Sequence, residues 1–247
     1  MADFSNGYVL GFASAVCVVC SLALAGTHAV LKPIQDVNRV RDYQKDVLSA
    51  LGLPEDGHTP VGEEIDSLWA SRVGTIVIDA ASGKPAEGKT KDDVDAAWEA
   101  VKNTPKPPQL LSVYTRKDGD QVGTYAIELR GRGLWGPISG FLALEKDAST
   151  VGGTVFFAPA ETPGLGLEIT AEPFKAQWKG KKIAADGKPK PIKVAKGKAT
   201  DECPGSVEHC VDGVSGATIT CRGVTNMVAA GVQMYDPFLR SIRGGTP

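Results

Sequence analysis

The feature that most constrains this 247-residue chain is a long uncharged stretch near its N-terminus. Residues 4–31 contain no Lys, Arg, Asp or Glu, and residues 8–25 (YVLGFASAVCVVCSLALA) are almost wholly apolar or small. As a helix, this run of apolar residues rises roughly 27 Å, close to the thickness of the hydrocarbon core of a bilayer. A secretory signal peptide is the alternative, but it calls for basic residues before the apolar run, where only Asp3 stands. The sequence therefore predicts a transmembrane helix over residues 7–31, after a short tail of residues 1–6.

The remainder of the chain predicts a single soluble domain, because no later stretch is long and apolar enough to span a membrane. Residues 36–51 place apolar side chains at helical spacing and are followed by Gly52 and Pro54. We therefore expect a juxtamembrane helix and linker over residues 32–60 and the domain over residues 61–247. The orientation is ambiguous from charge alone: four basic residues follow the span and none precedes it, which by the positive-inside rule would place the domain in the cytoplasm.

The domain contains several short, apolar, β-rich runs that are separated by Gly or Asp rather than by long helices. They lie at residues 72–79, 110–114, 124–129, 138–144 and 154–158. Successive strands of this kind favour an antiparallel sheet. Thr90 with Asp93 resembles a capping box before one helix, and a last helix is predicted over residues 222–234. The expected fold class is α+β, with a mixed, mainly antiparallel sheet.

The charge pattern of the chain argues against nucleic acid as a partner. The net charge is −2, and the only strongly basic segment, residues 175–198, carries nine lysines and one acid, Asp186. This segment is either a solvated loop or a site that neutralises an anion, such as a cofactor phosphate or lipid headgroups. Because no aromatic pattern or nucleic-acid motif accompanies the lysines, nucleic acid is not an expected partner.

The cysteines and histidines predict no metal site. The three histidines lack metal-ligand spacing, and Cys17 and Cys20, in the apolar span, have no second pair to complete a ligand set. Cys203 and Cys210 lie in a loop with Gly and Pro and could form a disulfide if the domain is extracytoplasmic.

A glycine pattern at residues 131–136 (GRGLWG) fits the G-x-G-x-x-G spacing of dinucleotide-binding sites. That function requires a strand before the pattern and a helix after it, whereas both flanks here have the composition of strands. Without a helix N-terminus to receive a pyrophosphate, the pattern does not predict a Rossmann site. The glycines do admit close backbone approach to a flat group, and Trp135 among them is either such a contact or a core residue.

The stretch DGVSGATIT, residues 212–220, combines three hydroxyl side chains with two glycines and precedes the predicted last helix. Free N–H groups and the dipole at a helix N-terminus favour an anion, so the stretch suits a phosphate, held non-covalently or as an ester on a hydroxyl. The alternative is structural: a capped helix start with Thr220 as the N-cap.

These residues resemble a known family. The pattern D-x-x-S-G-A-T, here residues 212–218, resembles the flavinylation motif of bacterial respiratory flavoproteins, in which a flavin transferase joins FMN through its phosphate to the final threonine. The segments GRGLWGPISGFLALE (131–145) and ETPGLG (161–166) are similar to the C subunit of the sodium-translocating NADH:quinone oxidoreductases. The resemblance extends over nearly the whole chain, including the N-terminal span.

The resemblance implies a set of cofactor-binding residues. Thr218 would carry the covalent FMN, and Ser215, Gly216 and Ala217 would hold its phosphate end. Other positions match family residues near the cofactor, and these are Trp135, Gly136, Glu161, Thr162, Leu165 and Lys196. The spacing from Lys196 to the motif is longer here than in the family, through an insertion that contains Cys203. The resemblance implies no catalytic residue and no metal ligand.

The resemblance also implies a function and a location. The chain would be an electron-carrying subunit of a Na+-pumping NADH:ubiquinone reductase, a translocase, and would have no complete activity alone. Its partners would be the other subunits of that complex, the flavin transferase and membrane lipid. Its domain would lie in the periplasm, anchored to the bacterial inner membrane. The alternatives are the G subunit of the related Rnf electron-transport complex and a membrane-anchored assembly module without a redox role.

Overall fold

A computed structural model describes residues 5–102, 104, 106–119 and 121–244. The chain divides into two units, Met1–Tyr43 and Gln44–Pro247. The first unit consists of most of helix α1 (Asn6–Ala50), which continues through Pro33 instead of being divided into a span and a separate juxtamembrane helix. Among the described residues, α1 alone is long and apolar enough to cross a membrane. The second unit takes in residues 44–60, where Val47 and Leu48 are fully buried.

The second unit is an α+β domain, as predicted. Its helices after α1 are α2 (Glu63–Arg72), α3 (Lys91–Val101), α4 (Glu172–Lys175), α5 (Ala199–Glu202) and α6 (Thr218–Arg243). Its strands are β1 (Val73–Asp79), β2 (Leu110–Asp118), β3 (Gln121–Arg132), β4 (Pro137–Glu145), β5 (Val151–Phe157), β6 (Ala184–Ala185), β7 (Lys188–Pro189), β8 (Lys193–Val194) and β9 (Cys210–Val211).

Strands β1 to β5 form one antiparallel sheet in sequential order, which confirms the five predicted strands. The predicted capping box of Thr90 and Asp93 is also present at the start of α3. On one face of the sheet, Val113 and Ile127 are opposite each other and belong to the main core. On the other face, Tyr114 contacts Trp69 of α2, with 5.6 Å between ring centroids. Both faces are therefore covered by helices.

Helix α6 packs on β3 through glycines. A Cβ on Gly223 would meet the carbonyl group of Arg132, and a Cβ on Gly131 would lie 2.6 Å from the Cβ of Met227. The two backbones approach this closely only because no side chain intervenes. The N-terminal part of α6 is thereby held against the turn that joins β3 to β4.

The predicted limits of the last helix, residues 222–234, are wrong at both ends. Helix α6 begins at Thr218 with Ala217 as the N-cap, and it continues through Pro237 to Arg243. Thr220 is therefore not a cap; its hydroxyl is buried and bonded elsewhere. The helix continues past Met234 because Tyr235 and Leu239 are fully buried in the core, and this burial outweighs the local preference to stop near proline.

The lysine-rich segment is not a plain solvated loop. It contains β6, β7 and β8, and several of its lysines bond to protein groups: Lys181 donates to the carbonyl of Val207 at 2.7 Å, and Lys193 pairs with Glu202 at 3.3 Å. Strand β8 pairs in parallel with β9, which leads directly into the motif. A disulfide joins Cys203 to Cys210 at the start of β9.

Asp212, the first residue of the motif, anchors the loop that precedes α5. Its carboxylate accepts hydrogen bonds from the backbone N–H of Ala199 at 2.8 Å and from Lys198 at 2.7 Å. The N–H of Ala199 first, and Lys198 second, hold the pKa of Asp212 below its usual value. The aspartate therefore fastens the loop before α5 to the first residue of the motif.

We expect Gly223→Ala to destabilise the domain. The new Cβ would lie 3.2 Å from the carbonyl carbon of Arg132 and closer still to its oxygen, so α6 would have to move away from β3. Such overpacking costs about 1–3 kcal/mol, which outweighs the gain of about 1 kcal/mol from replacing a helical glycine by alanine. Thermal unfolding of the full chain in detergent measures the difference.

Gly231→Ala is the matched control in the same helix. Its Cβ would meet the side chain of Leu129, which can change rotamer, rather than a backbone carbonyl. We expect a smaller loss than in Gly223→Ala. Equal melting temperatures for the two variants would contradict the proposed role of Gly223.

Asp212→Asn should lower the melting temperature by a few degrees at pH 7. Because the pKa of Asp212 is lowered in the folded state, its contribution is complete above the pKa of the unfolded chain and is lost as the pH falls through the folded pKa. The difference between the parent and Asp212→Asn should therefore be complete at neutral pH and should shrink as the pH falls below the unfolded pKa and through the lowered folded pKa of Asp212. A melting-temperature difference that does not shrink at all as the pH is lowered from neutral into the acid range would show that the charge of Asp212 is not involved.

Candidate functional site at the start of helix α6

Three turns meet at the N-terminus of α6. The first is the β3–β4 turn, closed by a hydrogen bond from the N–H of Gly133 to the carbonyl of Gly136 at 2.9 Å. The second is the 161–166 turn, where a Cβ on Gly216 of the motif would lie 2.7 Å from Leu165. The third joins β8 to α5, and there a Cβ on Gly213 would lie 3.0 Å from the carbonyl oxygen of Lys196. The structure thus brings the predicted site segments together.

The first turn of α6 has no side-chain cap among the described residues. Ala217 occupies the N-cap position, and the turn that follows, TITC, contains no acid. Helix α6 has 26 residues, and its first N–H groups, together with the helix dipole, form an anion-binding position. The arrangement fits a phosphate, which would take the place of the missing cap.

The threonines near the motif differ in their surroundings. Thr218 is exposed at the first position of α6, and no hydrogen bond of its hydroxyl is found in the described part of the chain. Thr220 is 1% exposed and donates a hydrogen bond to Glu161 at 2.6 Å. Thr225 donates to the carbonyl of Cys221 at 3.1 Å and accepts from the N–H of Val194 at 3.0 Å. Thr218 is therefore the threonine whose hydroxyl is free to react.

Glu161 is buried between two of the turns. One carboxylate oxygen accepts from Thr220, and the other accepts from the backbone N–H of Trp135 at 2.9 Å. Burial raises the pKa of Glu161, but the hydrogen bonds from Thr220 and from the N–H groups of residues 134–136 together outweigh burial, so the pKa lies below its usual value. The carboxylate is therefore ionised at neutral pH.

Large apolar side chains lie exposed around the motif. Trp135 is 65% exposed and is therefore not a core residue. Leu134 beside it, Leu165 and Ile219 are exposed as well. We call these four residues the apolar shelf. Apolar groups that surround a polar anion position are typical of a binding site for a group with an aromatic ring and a phosphate.

The other predicted site residues have identifiable positions. Gly136 lies against Ala160, where a Cβ would come within 2.6 Å of the alanine Cβ. The carbonyl of Thr162 accepts from the N–H groups of Leu165 and Leu167, both at 3.1 Å, and so shapes the second turn. Ser215 is exposed in the motif, and Lys196 is exposed in the third turn.

Sequence reasoning missed some residues of this site. The glycine pattern indicated close approach to a flat group, whereas Gly133 makes room for the carboxylate of Glu161 and Gly131 for Met227. The partner of Thr220 was missed because Glu161 lies 59 residues away in sequence. Leu134 and Ile219 carried a signal, since both are large apolar residues directly beside predicted site residues.

A cleft of about 1070 Å³ lies elsewhere on the domain. It is lined by residues of β1, α3, β3, the middle of α6 and the segment before β2, including Trp98, Arg130 and Gln233, and by no residue of the motif. The guanidinium of Arg130 stacks on the ring of Trp98 at 4.5 Å. Because the anion position and the exposed threonine are not in this cleft, volume alone does not identify the site.

Comparison with known proteins agrees with this geometry. Residues 133–233 match the FMN-binding domain family, and this range contains the three turns and the motif. Among solved structures, the C subunit of the Na(+)-translocating NADH-quinone reductase from Parabacteroides distasonis has a TM-score of 0.70 and 29% identity, over 85% of this chain and 96% of that one. The Shewanella oneidensis NqrC structure has a TM-score of 0.66 and 27% identity, over 83% and 98%.

Curated relatives extend the similarity over nearly the full length. The C subunit of the Na(+)-translocating NADH-quinone reductase of Pseudomonas aeruginosa is 34% identical over 246 residues, which is 93% of each chain. The corresponding protein of Yersinia pestis is 31% identical over 93% of this chain and 90% of its own. The chain belongs to the family formed by the C subunits of the Na(+)-translocating NADH-quinone reductases.

Proposed function

We propose that this chain is the electron-carrying flavoprotein subunit of a Na+-pumping NADH:quinone oxidoreductase and that FMN is attached through its phosphate to Thr218. The observation that carries the proposal is the exposed hydroxyl of Thr218 on a helix N-terminus without a side-chain cap. The hydroxyls of Thr220 and Thr225 are engaged within the domain. Family membership and the FMN-binding domain match support FMN as the group that the site receives.

The attachment is a phosphoryl-transfer step. The hydroxyl oxygen of Thr218 forms the new bond to phosphorus, a phosphoanhydride bond of an activated flavin donor breaks, the phosphate on the other side of that bond leaves with the rest of the donor, and the hydroxyl proton passes to a base. An alkyl hydroxyl is a weak nucleophile without activation. Residues 212–220 contain no His or Lys, so the base and any metal are supplied by a flavin transferase.

The residues of the site divide into two sets. Backbone N–H groups of the first turn of α6, with Ser215, Gly216 and Ala217 before it, would hold the phosphate, and Lys196 would neutralise charge nearby. Trp135 and Leu165 would contact the ring, with Gly136 and Thr162 shaping the turns that carry them. Bound FMN supplies reversible electron transfer, which the side chains of the protein do not provide. The chain itself anchors, orients and shields the group.

Membrane attachment is part of the proposal. Residues 7–31 of α1 would span the bacterial inner membrane, and residues 61–247 would form the flavin domain in the periplasm. The disulfide of Cys203 and Cys210 supports an oxidising compartment, because such bonds are rare in the cytosol. NADH and quinone would bind other subunits of the complex, and Na+ would be moved by the assembled complex, since residues 7–31 contain no carboxylate.

Thr218→Val should abolish covalent flavin. Valine keeps the β-branched shape and removes the reacting oxygen, so we expect a folded chain that carries no covalent FMN after coexpression with a flavin transferase. In-gel flavin fluorescence of denatured protein measures the loss, and peptide mass analysis of the parent locates the modified residue.

The neighbouring threonines provide controls of the same shape. Thr225→Val and Thr220→Val remove hydroxyls that are bonded within the domain, and both variants should remain flavinylated. Covalent flavin in Thr218→Val, or a modified peptide that maps to Thr220, would refute the assignment.

Topology is tested separately. Alkaline phosphatase fused after Thr59 should be active, and green fluorescent protein at the same position should be dark, because both outcomes require export of the segment that follows the span. The reverse pattern would place the domain in the cytoplasm. In native protein we also expect Cys203 and Cys210 to resist alkylation until a reductant is added.

A further inference from the structure

We infer that Glu161 is a positioning residue: its carboxylate fastens the β3–β4 turn, and with it Trp135, to the helix that carries Thr218. The inference rests on the proposed function for its redox consequence and on the structure alone for its mechanical one. It concerns how the apolar shelf is held, rather than which residues contact the flavin.

The carboxylate joins segments that are distant in sequence. One oxygen accepts the N–H of Trp135 at 2.9 Å, and the other accepts the hydroxyl of Thr220 at 2.6 Å. Glu161 is only 5% exposed, so water does not compete strongly for these bonds. Breaking either bond would leave a buried polar group without a partner, which is more costly than losing an exposed hydrogen bond.

Two glycines provide the space that this carboxylate occupies. A Cβ on Gly133 would lie 2.5 Å from one oxygen of Glu161, and a Cβ on Gly166 would collide with the other and lie 2.7 Å from the hydroxyl of Thr220. Both glycines are therefore needed for the carboxylate to reach its two donors. The successive N–H groups of the β3–β4 turn form an anion-binding concavity, and the carboxylate occupies it.

The hydrogen bond between Thr220 and Glu161 constrains the start of α6, where Thr218 lies. Thr218 and Thr220 are about 200° apart around the helix, so one hydroxyl faces outward while the other faces the core. Thr220 thereby fixes the rotation of the first turn of α6, and Glu161 transmits that constraint to Trp135. Trp135 is 65% exposed and lies in the four-residue segment between β3 and β4, so its position depends on how that segment is held.

The carboxylate also has an electrostatic role. No ion pair of Glu161 is found among the described residues, and its hydrogen bonds come from a hydroxyl and from backbone N–H groups. A negative charge compensated only by dipoles disfavours additional negative charge nearby. Since reduction of a bound flavin adds negative charge, Glu161 should keep the reduction potential of the flavin low.

The mechanical part is tested on the full chain without flavin, purified in detergent after expression without a transferase. Hydrogen exchange of the backbone amides at residues 134–136 should be at least tenfold faster in Glu161→Gln than in the parent, because the amide side chain cannot accept from Trp135 and Thr220 in the same way. Thr220→Val should accelerate the same amides, and Thr220→Ser, which keeps the hydroxyl, should restore parental exchange.

Glu168→Gln is the matched control. Glu168 also accepts a backbone N–H in the second turn, from Gly164 at 3.0 Å, but it is not bonded to Trp135 or to α6. In Glu168→Gln, amide hydrogen exchange at residues 134–136 should be as slow as in the parent. Parental exchange in both Glu161→Gln and Thr220→Val would overturn the positioning role, and it would do so whether or not the chain carries flavin.

The electrostatic part is tested on flavinylated chains. Glu161→Gln should keep covalent loading within about twofold of the parent, raise the midpoint potential of the flavin and increase its native fluorescence towards that of Trp135→Ala, since a tryptophan that packs on the ring quenches emission. Glu168→Gln should change neither quantity. A potential equal to that of Glu168→Gln would overturn the electrostatic role, whereas a parent without covalent flavin would overturn the proposed function itself.

Discussion

The close approach of α6 to the β3–β4 turn is the constraint on which the site depends. Gly223 and Gly131 allow the helix to rest on the backbone of the sheet, and this contact delivers the start of α6 to the turns that carry Trp135 and Glu161. A side chain at either glycine would separate the helix from the turn, and Thr218, the proposed attachment residue, from the apolar shelf. The fold therefore sets the geometry of the site through these two glycines, which have no side chains. The antiparallel sheet supports both the helix and the turn.

Several features of the site are unfavourable for the isolated chain. The first turn of α6 lacks a side-chain cap, which for an ordinary helix would be worth about 1 kcal/mol. Trp135 and Leu165 expose large apolar side chains to solvent. A phosphate on the helix N-terminus and a ring on the shelf would offset both deficits together. Under the proposed function, the same features would favour a ligand with a phosphate at one end and an aromatic ring system at the other.

The sequence predicted the sheet better than it predicted the site. Short, apolar, β-rich runs separated by Gly or Asp identified all five strands of the main sheet, because such runs depend on near neighbours in the chain. The start of α6 was misplaced because threonine is a residue type that often caps a helix, which made Thr220 a candidate N-cap. The hydrogen-bond partner of Thr220 is Glu161, which lies 59 residues away in sequence, so no local pattern reveals it. The exposure of Trp135 could not be predicted either, because it depends on contacts between segments that are distant in sequence. Motif resemblance indicated which residues belong to the site, but the role of each depended on contacts that only the folded chain provides.

The two ends of the proposed cofactor place different demands on the protein. A covalent bond at Thr218 would prevent loss of the group, but rotation about the bonds of a phosphoester leaves the far end of the group free to move. The position of the ring therefore depends on the apolar shelf, and the position of Trp135 depends on the buried carboxylate of Glu161. Attachment and positioning are thus separable: the first needs an exposed hydroxyl and an open helix end, and the second needs a buried network that ties the turn to that same helix. Under the proposed function, Thr218 and Thr220, two residues apart on opposite sides of α6, would serve these two requirements.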